Sequence, residues 1–114
     1  MSTNTQMISK ALRSFTAEIA HREGKRFHSA LLFGSHARGE GRDDSDVDVA
    51  VILSDMPASL IDTKLAMADV AYDVLLETGV LIQPMPLSMD EWAHPEHHPN
   101  PRLVANIQRE GRRL

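Results

Sequence analysis

The sequence predicts a mixed α/β (α+β) fold, with a small mixed β-sheet and helices packed on it. Apolar residues at helical spacing alternate along the chain with short runs of β-branched and large apolar residues. At 114 residues, 42% hydrophobic and 25% charged, the chain suits a single domain over 1–114. It shows no internal repeat and no low-complexity linker.

Each element has a local cause. Met7, Ile8, Leu12, Phe15 and Ile19 recur at helical spacing, and Gly24 offers a stop. Phe27 to Phe33 reads as a strand ending at Gly34. Ser35 is an N-cap type, so Ser35 to Arg38 is expected to form a short helix before Gly39 and Gly41 break it. Arg42 to Ser45 is polar and turn-like. In Val47 to Leu53 both alternating sets are apolar, which suits a strand covered on both faces. Ser59 to Glu77 carries Leu60, Ile61, Leu65, Met67, Ala68, Ala71, Leu75 and Leu76, an expected amphipathic helix stopped by Gly79.

Val80 to Ile82 begins a third strand. Pro84 and Pro86 cannot donate ladder hydrogen bonds, so this strand ends early or lies at an edge. Ser88 and Glu91 have capping-box spacing and start a short helix through Trp92. A His- and Pro-rich loop spans Ala93 to Pro101, and Leu103, Val104 and Ile107 mark a final helix. Met56, Met67, Met85 and Met89 read as core and edge packing, and Trp92 as a core anchor or a partner contact.

Charge and composition narrow the function. The formal net charge is −4, against the basic face expected of a protein that grips long nucleic acid. Arg102, Arg109, Arg112 and Arg113 face Glu110 alone near the C-terminus, which reads as a solvated helix end with cations near its negative dipole. There is no cysteine, which excludes disulfides and thiolate metal sites. No apolar signal core or membrane-length run is present, so no membrane association and a cytoplasmic location are expected.

The chemistry concentrates in Gly34-Ser35-His36-Ala37-Arg38-Gly39, the polar stretch to Ser45, and Asp46-Val47-Asp48. A strand delivers Gly34 and Ser35 to the start of the expected short helix, where outward backbone N–H groups and the helix dipole favour an anion. Gly34 allows close backbone approach, and the Ser35 hydroxyl can bond a phosphate oxygen. Asp46 and Asp48 stand two apart at a strand entrance, which puts both carboxylates on one face. Hard oxygen ligands of this kind select Mg²⁺ or Mn²⁺ together with substrate phosphates. A phosphate cradle followed by a carboxylate pair suits nucleotidyl transfer.

Rival readings fit less well. A Walker A loop needs Lys where Glu40 stands. An EF-hand-like loop from Asp44 needs Gly where Val49 opens an apolar strand. His94, His97 and His98 match no standard zinc spacing and read as a solvated loop. Asp69 and Asp73 at helical spacing read as a charged solvent face.

The stretch resembles the Gly-Ser, ten residues, Asp-x-Asp signature of the DNA polymerase β-like nucleotidyltransferase superfamily, in its minimal nucleotidyltransferase (MNT) branch. Gly34-Ser35, His36 to Ser45 and Asp46-Val47-Asp48 fit the spacing without a gap. The resemblance implies a polymerase β-like fold, with Gly34, Ser35 and Arg38 binding the nucleotide and Asp46 and Asp48 as catalytic residues holding Mg²⁺ or Mn²⁺. It also implies ATP as substrate and a HEPN-type toxin as partner, with AMP moved from ATP onto a tyrosine of that toxin. Two positions depart from the family pattern. His36 stands where relatives often have Arg. The strand Val80 to Pro86 lacks the third carboxylate of active members, and Gln83 is its nearest polar replacement. The alternative reading is therefore a nucleotide-binding module with weak or no turnover that neutralises its partner by contact. Nucleotide preference, acceptor and any homo-oligomer stay open.

Overall fold

The computed structural model describes residues 3–42, 44–56 and 59–114, with backbone alone for residues 3 and 4. Asp43, inside the turn expected over Arg42 to Ser45, lies outside the described residues. The elements are helix α1 (Thr3–Glu23), strands β1 (Phe27–Phe33) and β2 (Val47–Leu53), helix α2 (Leu60–Thr78), strand β3 (Ile82–Ser88), helices α3 (Met89–Ala93) and α4 (Pro101–Glu110), and the two-residue strand β4 (Arg112–Arg113). Single 3-10 turns occupy Gly24–Arg26 and Pro95–His97.

The four strands form one mixed sheet in the order β3-β2-β1-β4. β1 runs antiparallel to β2, and β2 parallel to β3. The α2 crossover joins the parallel pair, as a parallel connection requires. The prolines did not end β3 early. They place it at the sheet edge, where a missing N–H costs no ladder bond and also blunts the edge against further pairing. β4 is not predicted by the sequence. Its two residues pair with Leu31 and Leu32, too short a run to carry any periodic signal.

β2 is the central plank, and its alternation builds both halves of the core. Val47, Val49, Val51 and Leu53 pack with Phe15 and Ile19 of α1 and with Met67, Val70 and Val74 of α2. Ala50 and Ile52 point the other way and pack with Leu87, Val104 and Ile107, joined by Leu31, Phe33, Met85, Met89 and Trp92. Trp92 is thus a core anchor. Ser59 caps α2 through the Asp62 N–H, and Gly79 closes its other end. The Ser88/Glu91 capping box is formed in both directions.

The apolar residues expected to make one buried face of α2 divide between two. Thr63, Met67, Val70, Ala71, Val74 and Thr78 face the core, whereas Ile61, Leu65 and Leu76 face outward together with Tyr72. The C-terminal arginines also divide. Arg109 lies in the last turn of α4 as expected, but Arg112 and Arg113 form β4.

Candidate functional site

The site forms at the end of the sheet where β1 leaves and β2 enters. Phe33, the last residue of β1, is paired with Asp48, so the residue that follows, Gly34, is carried next to that aspartate. Gly34 has φ +76°, and a Cβ there would lie 2.3 Å from Asp48 Oδ2. The glycine thus serves two needs: left-handed backbone, and room for a carboxylate against its Cα.

After Gly34 the chain does not form the expected helix. Residues 35–39 are successive turns: Ala37 and Arg38 donate to Gly34 O (3.1 and 3.2 Å), Gly39 to His36 O (3.4 Å) and Glu40 to Ser35 O (2.9 Å). The ladder changes register at each step because Gly39 and Gly41 follow too soon for helical propagation. Ser35 is therefore not a helix N-cap, and no helix dipole acts there. What remains is a turn in which, among the described residues, the Ser35 and His36 N–H groups have no backbone carbonyl partner. Successive N–H groups of this kind form anion-binding concavities.

The segment from His36 back to Asp46 is held by side chains. His36 Nε2 donates to Ser45 O at 3.3 Å. Ser45 accepts at Oγ from the Arg42 N–H at 3.0 Å, and its own N–H donates to Arg42 O at 3.0 Å. A Cβ on Gly41 would lie 2.3 Å from His36 Nδ1, so the loop closes over the imidazole only with glycine at that position. In the sequence His36 stands out only as a departure from the family pattern, and this fastening role is not visible there. The adjacency of His36 and Gly41 exists only once the loop has folded.

Asp48 lies within β2 on the face it shares with Ala50 and Ile52, and Asp46 stands just before the strand. Asp46 is exposed and Asp48 half-buried. Burial first, and then the neighbouring Asp46 charge, raise the Asp48 carboxyl above its ordinary value, while His36 and Arg38 pull it back down. The two carboxylates are therefore near enough to repel, a repulsion that a cation would relieve.

Across the parallel pair, Gln83 is the register partner of Asp48. Its Nε2 donates to Asp46 Oδ2 at 3.4 Å. The structure thus brings the polar residue of β3 to the acidic pair. Among the described residues no group of three or more His, Cys, Asp or Glu could hold a metal ion. Two carboxylates alone fit Mg²⁺, which is commonly bound through one or two of them with substrate phosphates and water completing its shell.

Arg38 is engaged elsewhere. Its guanidinium donates to Glu40 Oε2 at 3.1 Å and to Glu110 Oε1 at 3.2 Å. Glu110 lies at the end of α4, 72 positions away, and nothing in the local sequence announces that contact. The histidine loop is also paired: His97 Nδ1 meets Asp90 Oδ2 at 2.8 Å and His94 Nδ1 meets Glu96 at 3.4 Å.

Comparison with known proteins identifies the family and the fold. The family model described as "Polymerase beta, Nucleotidyltransferase" matches residues 16–84, from α1 into β3. A relative from Methanocaldococcus jannaschii, named "Putative protein adenylyltransferase", is 31% identical over 80 residues, 70% of this chain and 54% of its own length. The chain thus spans about half the length of that relative. Among solved structures, one described as a putative minimal nucleotidyltransferase superposes with a TM-score of 0.61 at 24% identity, covering 99% of this chain and 97% of that one. A toxin–antitoxin structure with AMP-PNP superposes with a TM-score of 0.61 at 16% identity, covering 87% and 68%. At these identities the two superpositions establish the fold, a polymerase β-like nucleotidyltransferase fold.

Proposed function

The chain belongs to the polymerase β nucleotidyltransferase family, and from that premise we propose that it moves AMP from ATP onto a protein partner, a tyrosine of a HEPN-type toxin, and so acts as an antitoxin. The observation that carries this reading is the Asp48 carboxylate lying against Gly34 with Asp46 beside it. Phosphate cradle and acidic pair are contiguous, as transfer at an α-phosphate requires. The adenylyltransferase name of the relative and the nucleotide analogue in the toxin–antitoxin structure support ATP as donor and a protein as acceptor.

In this reading Gly34 and Ser35 hold the triphosphate through backbone N–H groups and the Ser35 hydroxyl. Arg38 reaches the phosphates when it exchanges its carboxylate partners for them. Asp46 and Asp48 would hold Mg²⁺, which when bound supplies positive charge against the triphosphate. The acceptor hydroxyl oxygen forms a bond to the α-phosphorus, the bond to the bridging oxygen breaks, and pyrophosphate leaves. The hydroxyl proton passes to solvent water, and the Gln83 amide, which is not basic, plays no part in that transfer.

The Gln83–Asp46 hydrogen bond favours a second reading. An amide where a carboxylate would bind metal weakens turnover more than nucleotide binding, and a binding module could neutralise its partner by contact alone. Intact-mass spectrometry of the partner, incubated with this protein, ATP and Mg²⁺, separates the two. Added AMP units, absent with Asp46→Asn/Asp48→Asn, are expected for transfer. A tight, silencing complex with no mass change would overturn transfer and leave the binding reading.

A further inference from the structure

The outer face of α2 carries large apolar residues that are mostly exposed among the described residues. Ile61, Leu65, Tyr72 and Leu76 are 71, 60, 59 and 68% exposed. At about 100° per residue they fall within roughly 60° of arc, with the exposed Ala68 beside them. The spacing Ile61, Leu65, Ala68, Tyr72 runs four, three, four, the alternation of a coiled-coil seam, which a second helix matches. The helix buries its opposite side through Met67, Val70, Ala71 and Val74, so the outward row lies outside the core. Scattered exposed apolar residues need no explanation, but a continuous row of this length marks a contact surface.

We propose that this face docks an amphipathic helix of a partner protein whose apolar ridge is bordered by Lys or Arg. The charge of the rim selects that chemistry. Asp62, Asp69 and Asp73 flank the row, and within α2 only Lys64 opposes them. Among the described residues no ion pair within 4 Å engages the three aspartates, although Asp69 and Asp73 act on Arg22 at longer range. A second copy of this chain would bring a face of the same net sign against this one, which works against self-association. The face lies on the α1/α2 layer, whereas Asp48 projects to the other side of the sheet. Docking here is therefore separate from the transfer proposed above and holds whether or not the docked partner is modified.

The test uses the full chain and two synthetic three-heptad helical peptides with Leu seams, one bordered by Lys and one by Glu, with binding read by fluorescence anisotropy at physiological salt. The Lys-bordered peptide should bind, and its Glu twin should bind about tenfold more weakly or not at all. Leu65→Lys/Tyr72→Lys should lower the affinity about tenfold while Mg²⁺-dependent ATP binding and circular dichroism stay unchanged. Asp69→Lys/Asp73→Lys should shift preference toward the Glu twin. Equal binding of both peptides, or affinity indifferent to the Leu65/Tyr72 change, would overturn the proposal. So would a dimer of the chain alone in sedimentation that the Leu65/Tyr72 change dissociates, since the occupant would then be a second copy.

Discussion

The Asp48 carboxylate occupies the space that a side chain on Gly34 would need: a Cβ at position 34 would come within 2.3 Å of Asp48 Oδ2. Gly34→Ala meets two penalties at once. Left-handed backbone costs a non-glycine residue about 1–2 kcal/mol, and the methyl group displaces a carboxylate of the acidic pair. The variant should melt several degrees lower and lose Mg²⁺-dependent ATP affinity. Gly24→Ala is the control, because Gly24 has φ +57° with nothing within 4 Å of a Cβ. It should lose stability alone. Calorimetry and thermal melts on both variants check the difference, and equal affinity in the two would disconnect Gly34 from the nucleotide.

Asp48 should weaken the fold that it equips. Burial, and then Asp46, hold its carboxyl above the ordinary value, so the folded chain binds this proton more tightly than the unfolded chain does. The contribution to stability is complete below the unfolded value and is lost as pH rises through the folded one. At neutral pH the ionised group is therefore a cost, in the absence of metal. Asp48→Asn should melt higher than the parent at about pH 7, and the gap should close as pH falls below the ordinary carboxylate range, where the Asp48 side chain is neutral in both folded and unfolded chains. A variant that melts lower at neutral pH would mean that Asp48 is better paired than its surroundings indicate.

Much of this was legible in the sequence for identifiable reasons. Strand β1 was readable as an apolar run ended by Gly34, and the end of α2 and the start of α3 because cap chemistry is local: Gly79 and the Ser88/Glu91 pair act on neighbours within a few positions. The doubly covered β2 was readable because both of its alternating sets are apolar. Failures arose where non-local contacts decide. Ser35 looks like a cap, but the glycines at 39 and 41 deny it a helix. Leu65 and Leu76 look like core because hydrophobicity does not tell an inner from an outer face. In the site, the Asp46/Asp48 pair is a matter of spacing, but the approach of Gln83 to Asp46 depends on the β2–β3 register, and the Arg38–Glu110 pair on where α4 packs.

Ser35 now has a narrower role. With no helix to cap, Ser35→Ala removes only a hydroxyl near the turn. Its melting temperature should stay within a degree or so of the parent, as surface substitutions usually do. Triphosphate affinity should fall about fivefold, the equivalent of one hydrogen bond of about 1 kcal/mol, with adenosine affinity unchanged. Equal losses for both ligands in calorimetry would return Ser35 to a structural role.

The Glu110–Arg38 pair competes with the phosphate role proposed for Arg38. Glu110→Gln removes one of its two carboxylate partners at an exposed site where little stability is at stake. ATP should bind the variant more tightly, and Arg38→Ala should bind it more weakly than the parent. If Glu110→Gln leaves ATP affinity unchanged while Arg38→Ala reduces it, Arg38 acts without leaving Glu110.

Gln83 offers the sharpest test of turnover. It is exposed, stands in register with Asp48, and donates to Asp46. Gln83→Glu replaces that donor by a third carboxylate at the edge of the pair. In the absence of metal the change should lower stability through like-charge repulsion, and exposure to water keeps this loss small. With Mn²⁺ or Mg²⁺ the sign reverses, because three carboxylates share one cation's field where two did before. Metal affinity by calorimetry should rise, the melting temperature should gain more from added metal than the parent's does, and pyrophosphate release from ATP should quicken. The conservative control is Gln83→Asn, which shortens the side chain without adding charge and should reproduce none of these gains. A folded Gln83→Glu protein with parental metal affinity would mean that the side chain at 83 turns from the carboxylates once it is charged. Tighter metal binding with no faster pyrophosphate release would locate the limit on turnover at the acceptor, which the partner must supply.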